Sequence, residues 1–127
     1  MMPIGASIVI LNKEKEILLL KRSSLSRWMP NKWGLPGGKI EDGESKEKAA
    51  VRETLEETRL EVSPKDLFLL SETKKVVVYF TKVYNGVVII DWEHSDWGWV
   101  KRKDLANYDA IPTMAELFDG ALRYDKK

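Results

Sequence analysis

Glu53, Glu56 and Glu57 fall within five residues of one another, in a stretch rich in Ala, Glu, Lys, Arg and Leu. Those residue types favour helix, and the sequence predicts one over residues 45–58. At about 100° per residue the three carboxylates share one face, within an arc of ~100°. Val51, Thr54, Leu55 and Thr58 fall on the other side. That side is expected to meet a core, and the acidic side to be exposed. Glu53 and Glu57 stand at i,i+4, and Glu53 and Glu56 at i,i+3. Each like-charge pair costs ~0.2–0.5 kcal/mol on a bare helix. Arg52, four residues before Glu56, is a nearby compensator. Two readings account for such a face. One is a solvated surface that tolerates the repulsion. The other is a set of hard oxygen ligands for a divalent cation, Mg2+ or Mn2+.

The elements that must position this helix are legible as patterns. Residues 4–11 are apolar and β-branched and predict a buried strand. Residues 12–15 are a polar turn, and residues 16–21 a second strand, expected to pair with the first as a hairpin. Residues 22–33 form a loop containing Pro30 and Asn31. An extended piece, 33–36, leads into Gly37-Gly38, and Asp42-Gly43 is a turn. Ser63-Pro64 separates the helix from three further strands, 67–73, 75–84 and 87–90. The last two flank Asn85-Gly86, a strong hairpin signal. Residues 97–100 predict a short strand. Residues 112–122 predict a C-terminal helix with proline in its first turn. No repeat or linker interrupts the chain. This order predicts one α/β or α+β domain over residues 1–127, a mixed sheet covered by helices.

Composition narrows the function classes. The 127 residues are 43% hydrophobic and 32% charged, the balance of a globular domain. There is no cysteine, which excludes disulfides, thiolate metal sites and a cysteine nucleophile. His94 is the single histidine, so a multi-histidine zinc site is excluded too. The net charge is +1, but it is unevenly spread. Residues 12–39 hold seven Lys or Arg against two Glu, and residues 41–61 hold eight acids against four bases. Such neighbouring stretches could form opposite walls of one site for an anion and its metal. No apolar run approaches the ~20 residues of a membrane span. The opening Met-Met-Pro-Ile-Gly has neither the basic nor the apolar part of a signal peptide. A cytoplasmic protein, monomer or homodimer, is expected, with no membrane partner and no nucleic-acid tail.

The segment from Gly38 to Leu60 resembles the Nudix box, G-x5-E-x7-R-E-U-x-E-E-x-G-U, where U is a bulky aliphatic residue. Gly38, Glu44, Arg52, Glu53, Glu56, Glu57 and Leu60 match. At roughly 7% per position, the six strict identities would coincide by chance on the order of once in ten million starts. Two positions depart. Thr54 stands where a larger aliphatic residue is usual, and Arg59 where the pattern has glycine. That glycine typically leaves the helix in a left-handed conformation, which costs another residue roughly 1–2 kcal/mol.

The resemblance implies an α/β/α sandwich with a mixed central sheet, in which the box is a loop–helix–loop. It implies a pyrophosphohydrolase in which a metal-activated water attacks a phosphorus of a nucleoside triphosphate or a related nucleoside diphosphate derivative. Glu53, Glu56, Glu57 and the Gly38 carbonyl would hold one to three Mg2+ ions, with Mn2+ able to substitute. Glu44 would brace the loop or join the outer metal shell, and Arg52 would orient the glutamates. The general base would be Glu53 within the box or an acid beyond it. Glu93 is preferred there, with Asp96 the alternative and His94 an ordinary loop histidine. Phosphate would fall to Arg22 and Lys39 ahead of Arg27 and Lys32. A base could stack on Trp28, Trp33, Tyr79 or Phe80. Alternatives are a dinucleoside polyphosphate, ADP-ribose or nucleotide-sugar hydrolase, a hydrolase of a capped or triphosphorylated RNA 5′ end, and a non-catalytic nucleotide-binding module. The proline that marks ADP-ribose enzymes is absent at Val76. Tyr79 is out of register for the tyrosine of diadenosine enzymes.

Overall fold

Alternation along three apolar strands divides the core in two. The computed structural model describes residues 3–126. Met1 and Met2, on which the N-terminal reading partly rests, and Lys127 lie outside the described residues. Strands β1 (Gly5–Ile10), β2 (Glu16–Arg22), β3 (Trp33–Gly34) and β4 (Gly37–Lys39) precede helix α1 (Lys46–Thr58). Strands β5 (Phe68–Glu72), β6 (Val76–Thr81) and β7 (His94–Lys101) follow it, and helix α2 (Met114–Asp125) closes the order. One sheet runs β4-β1-β6-β5 and is mixed, because β1 and β6 are parallel. The other runs β3-β2-β7 and is antiparallel.

Ala6, Ile8 and Ile10 of β1, Leu18 and Leu20 of β2, and Val77 and Tyr79 of β6 point to one side, where Ala49 and Ala50 of α1 meet them. Val9, Ile17, Leu19, Val78 and Phe80 point to the other, against Met114, Phe118 and Ala121 of α2. A strand buried on both faces reads as a continuous apolar run, and these three do. The result is the α/β/α sandwich, with α1 on one side and α2 on the other. Among the described residues no helix is long and apolar enough to cross a membrane.

Two expected hairpins are absent. β1 and β2 share the turn at 12–15 and a single bridge, Leu11 to Ile17, and then part into different sheets. Each is apolar on both faces and takes two other neighbours: β4 and β6 for β1, β3 and β7 for β2. The Asn85-Gly86 signal is a turn of another kind. Asn85 bridges to Glu61, and residues 87–90 form no strand. They run past the end of α1, where the Ile89 N–H donates to the Thr58 carbonyl (2.9 Å) and the Asp91 N–H to the Glu57 carbonyl (3.2 Å). These bonds satisfy carbonyls that a helix end leaves open. Gly86, at φ 113°, lets the chain come close, since a β-carbon there would stand 3.1 Å from the Arg59 carbonyl oxygen.

Candidate active site

Helix α1 is anchored at its start by Ser45, whose Oγ accepts the Lys48 N–H at 3.1 Å. It ends on Arg59, which takes the left-handed conformation (φ 65°, ψ 7°) and donates its N–H to the Leu55 carbonyl. The helix therefore leaves through the geometry that the box glycine would have served, with arginine in its place.

The expected division into an acidic face and a core face is rotated. Ala49, Ala50, Thr54, Glu57 and Thr58 are the buried residues of α1, whereas Leu55 is 40% exposed. Two small alanines let the helix settle close to the sheet and carry Glu57 inward with them. Glu57 is 5% exposed, so the expectation of an exposed carboxylate there is corrected. Glu56 remains outside.

Glu57 Oε1 accepts the Gly37 N–H at 2.9 Å. Burial, chiefly, and the neighbouring charges of Glu53, Asp91 and Glu93 push its carboxyl up to about 9 against that hydrogen bond. Glu53 lies against β4. A β-carbon on Gly38 would stand 2.5 Å from the Glu53 carboxyl carbon, so only glycine leaves room for it. Burial raises Glu53 as well, although the Arg52 hydrogen bond pulls the other way.

Arg52 ties these parts together. Its Nε and Nη2 donate to the two oxygens of Glu44 at 2.7 and 3.0 Å. Nη2 also reaches the Lys39 carbonyl at 3.0 Å, and Nη1 donates to Glu53 at 3.0 Å and to Glu56 at 3.3 Å. Glu44 accepts the Glu41 N–H in addition (3.0 Å). The Arg52 hydrogen bond brings the Glu44 carboxyl down to about 2 and holds the guanidinium firmly charged. A bidentate fork of this kind is both strong and directional. One arginine thus joins the loop 39–44 to the acidic helix.

The residues present fit a hard divalent cation. Glu57 is penalised by burial and by the charge of Glu53, Glu53 is penalised by burial and by the charge of Glu56, and the Gly38 backbone runs beside Glu53. A cation would relieve that arrangement, and oxygen donors of this kind suit Mg2+ or Mn2+. Among the described residues no group of three such side chains is already arranged to hold an ion. Glu53 and Glu56 turn to Arg52, and Glu57 to the Gly37 amide.

The residues expected outside the box are scattered. Glu93 lies exposed in the turn before β7 and is close enough for its charge to act on Glu57. Asp96 lies in β7 opposite Lys21 and accepts its neighbour's N–H, from Trp97, at 2.7 Å. β7 begins at His94 rather than at residue 97, and His94 is a buried residue rather than a loop histidine. Arg22 is engaged by its own loop: Nε donates to the Trp28 carbonyl (2.7 Å), Nη2 donates to Ser26 (2.7 Å), and the guanidinium lies 5.0 Å from the Trp28 ring centre. Lys39 is exposed at the end of β4, and Lys32 pairs with Asp109 at 2.6 Å.

Trp33 packs edge-on against Tyr108, at 4.9 Å between ring centres, over the α2 side of the core. Tyr79 and Phe80 are corrected as stacking surfaces. Tyr79 is 4% exposed with its hydroxyl on Glu47, Phe80 is buried too, and neither offers a ring face to a ligand. Trp28 is 57% exposed.

Asp91 is the acid that sequence reasoning missed. Its N–H meets the Glu57 carbonyl, its charge acts on the Glu57 carboxyl, and its Oδ1 lies 2.7 Å from His94 Nδ1. The one sequence signal was an aspartate three residues before the chain's single histidine.

Comparison with known proteins accords with this geometry. The 8-oxo-dGTP diphosphatase of Escherichia coli (strain K12) is 34% identical over an alignment of 94 residues that covers 71% of this chain and 67% of that protein. The asymmetrical bis(5'-nucleosyl)-tetraphosphatase of Caenorhabditis elegans is 30% identical over an alignment of 135 residues, 93% of this chain and 95% of that protein. The crystal structure of the MutT protein from Methanosarcina mazei Go1 superposes with a TM-score of 0.79 at 30% identity, over 99% of this chain and 98% of that one. Three further relatives match over shorter stretches, and the chain spans only 33%, 21% and 19% of their lengths. The NUDIX domain is matched over residues 1–120. The chain belongs to the Nudix hydrolase family.

Proposed function

We propose that this chain is a Mg2+-dependent pyrophosphohydrolase that cleaves nucleoside triphosphates, ordinary or oxidised, to monophosphate and pyrophosphate. The observation that carries the reading is the pair Glu53, half-buried against Gly38 and joined through Arg52 to Glu44, and Glu57, buried on the Gly37 amide. Left without a cation, that pair is poorly stabilised, and the protein keeps it nonetheless. When bound there, Mg2+ supplies charge neutralisation on phosphate oxygens and makes water acidic enough to lose a proton near neutral pH.

The chain's own residues do the rest. Arg52 fixes the glutamates relative to the loop 39–44, and the Gly37 amide fixes Glu57. Glu93 takes the proton of the attacking water. Lys39 and Arg22 meet phosphate oxygens, which requires Arg22 to exchange part of its hold on the Trp28 loop. Hydrolysis adds the elements of water across one P–O–P bond.

A second reading is favoured by the near full-length match to the C. elegans tetraphosphatase, which points to a dinucleoside polyphosphate as substrate. A panel of the common and 8-oxo nucleoside triphosphates and diadenosine tetraphosphate, incubated with Mg2+, separates the two by product. Pyrophosphate with a monophosphate supports the first reading, and a nucleoside triphosphate released from the dinucleotide supports the second. No hydrolysis of any panel member overturns both.

A further inference from the structure

His94 is a buried titratable side chain with no place in the chemistry described so far. Its side chain is 4% exposed, and its Nδ1 lies 2.7 Å from Asp91 Oδ1. A carboxylate can only accept, so Nδ1 carries the proton and donates it. The backbone doubles the link, with the His94 N–H on the Asp91 carbonyl at 3.3 Å. The turn 91–94 is thereby closed on itself by one side-chain and one backbone hydrogen bond.

The turn is also held from outside on two sides. The Asp91 N–H reaches the carbonyl of Glu57 at the end of α1, at 3.2 Å. The Glu93 carbonyl accepts the Ser23 N–H at 2.9 Å, where the Trp28 loop begins. β2 and β7 shift register at this point, Lys21 facing Asp96 and Arg22 facing His94, so the ladder alone does not fix the turn. Trp92 and Glu93 are the exposed residues of the turn, and Glu93 carries the second anchor on its own carbonyl.

We propose that His94 is a positioning residue for the chemical step: through Asp91 it fixes the turn that presents Glu93 to the buried Glu57 of α1. The proposal rests on the reading of Glu93 as the proton acceptor. His94 touches neither substrate nor metal in this role. Its effect is confined to where the Glu93 carboxylate stands, and a misplacement of about 1 Å in a reacting group is enough to cost ~100-fold in rate.

The test compares His94→Leu, His94→Asn, Glu93→Gln and the double variant Glu93→Gln with His94→Leu, using full-length protein, saturating Mg2+ and the best substrate of the panel. His94→Leu is expected to lower kcat by about 10–100-fold with KM nearly unchanged. His94→Asn carries an amide N–H close to the position of Nδ1 and is expected to recover most of the loss. In the Glu93→Gln background, His94→Leu should cost little more, because the group it positions is already disabled. If His94→Leu does not fold, His94→Gln removes the same hydrogen bond, since its amide lies one bond farther out. Full kcat in every soluble His94 variant overturns the proposal. So does a loss in the double variant that multiplies the two single losses. Normal turnover in Glu93→Gln overturns the reading of Glu93 itself, and that outcome differs from a crippled Glu93→Gln combined with multiplicative losses.

Discussion

A β-carbon placed on Gly38 would stand 2.5 Å from the carboxyl carbon of Glu53. The clash is with the far end of a flexible side chain, so Glu53 can move and the fold can stay. Gly38→Ala is therefore expected to keep the thermal melt of the parent within a few degrees and to lower turnover by at least about tenfold, as one misplaced reacting group does. A melt and a turnover assay on the same preparation check it. A collapsed melt would place the requirement for glycine in β4 itself.

Glu57 makes stability depend on pH and metal together. Its folded carboxyl is raised to about 9, mostly by burial. Between the ordinary glutamate value and about 9 the folded state holds a proton that the unfolded chain has lost. Stability of the metal-free protein must then fall as pH rises across that window. Glu57→Gln can still accept the Gly37 N–H and is expected to flatten this slope while abolishing most turnover. Mg2+ added at the alkaline end should raise the melting temperature of the parent, because it binds the folded state, and should raise that of the variant much less. Melts at several pH values, with EDTA or Mg2+, give the answer. A parent that grows more stable towards pH 9 without metal would contradict the burial argument.

What was legible in the sequence and what was not divides along physical lines. β1, β2 and β6 could be read because a strand buried on both faces needs an unbroken apolar run. α1 could be read because its stretch is rich in Ala, Glu, Lys, Arg and Leu, which favour helix. Pairing could not be read: β1 and β2 leave a turn together, yet which neighbours they take depends on elements far along the chain. The rotation of α1 was hidden too. Ala49 and Ala50 suit any face of a helix, and carboxylates are read as outward by default. Asn85-Gly86 signalled a turn, but it served the close approach to Arg59 rather than a hairpin. Asp91 gave almost no signal, because its meeting with Glu57 exists only once residues 87–91 lie along the helix end.

Thr54 carries a buried hydroxyl with no hydrogen-bond partner. It stands where the box has an aliphatic residue, and valine has the same shape without the oxygen. Thr54→Val is expected to stabilise the protein by about 1 kcal/mol, the lower end of what an unsatisfied buried polar group costs. Chemical denaturation with unchanged m-value checks it. A loss of stability would mean the hydroxyl has a water partner.

Arg59 is exposed and held at φ 65°. A side chain there costs roughly 1–2 kcal/mol, and glycine gives back about 0.5–1 kcal/mol in lost chain entropy. Arg59→Gly should therefore be neutral to about 1 kcal/mol more stable, with turnover unchanged. The melt decides: a clear destabilisation would show that the arginine side chain makes contacts that outweigh the strain.

Glu93 rather than Asp96 is expected to be the acid outside the box that matters for the chemical step. The two stand three residues apart but in different settings. Glu93 sits in a turn, exposed, and its charge acts on the buried Glu57. Asp96 is built into β7 opposite Lys21 and accepts the N–H of Trp97. A general base must come within ~2.6–3.2 Å of the proton it takes, or act through one water, and its loss costs ~10²–10⁴-fold. Glutamate in a turn has the longer reach and the freedom to close that distance, whereas an aspartate fixed by a ladder and by its neighbour's amide does not. Glu93→Gln should therefore lower kcat by at least about a hundredfold under saturating Mg2+ and substrate, and Asp96→Asn should leave it within about twofold. A crippled Asp96→Asn beside a normal Glu93→Gln reverses the assignment. If both keep full turnover, the proton goes to the box, where Glu53 is already raised by burial and lies against the Gly38 backbone.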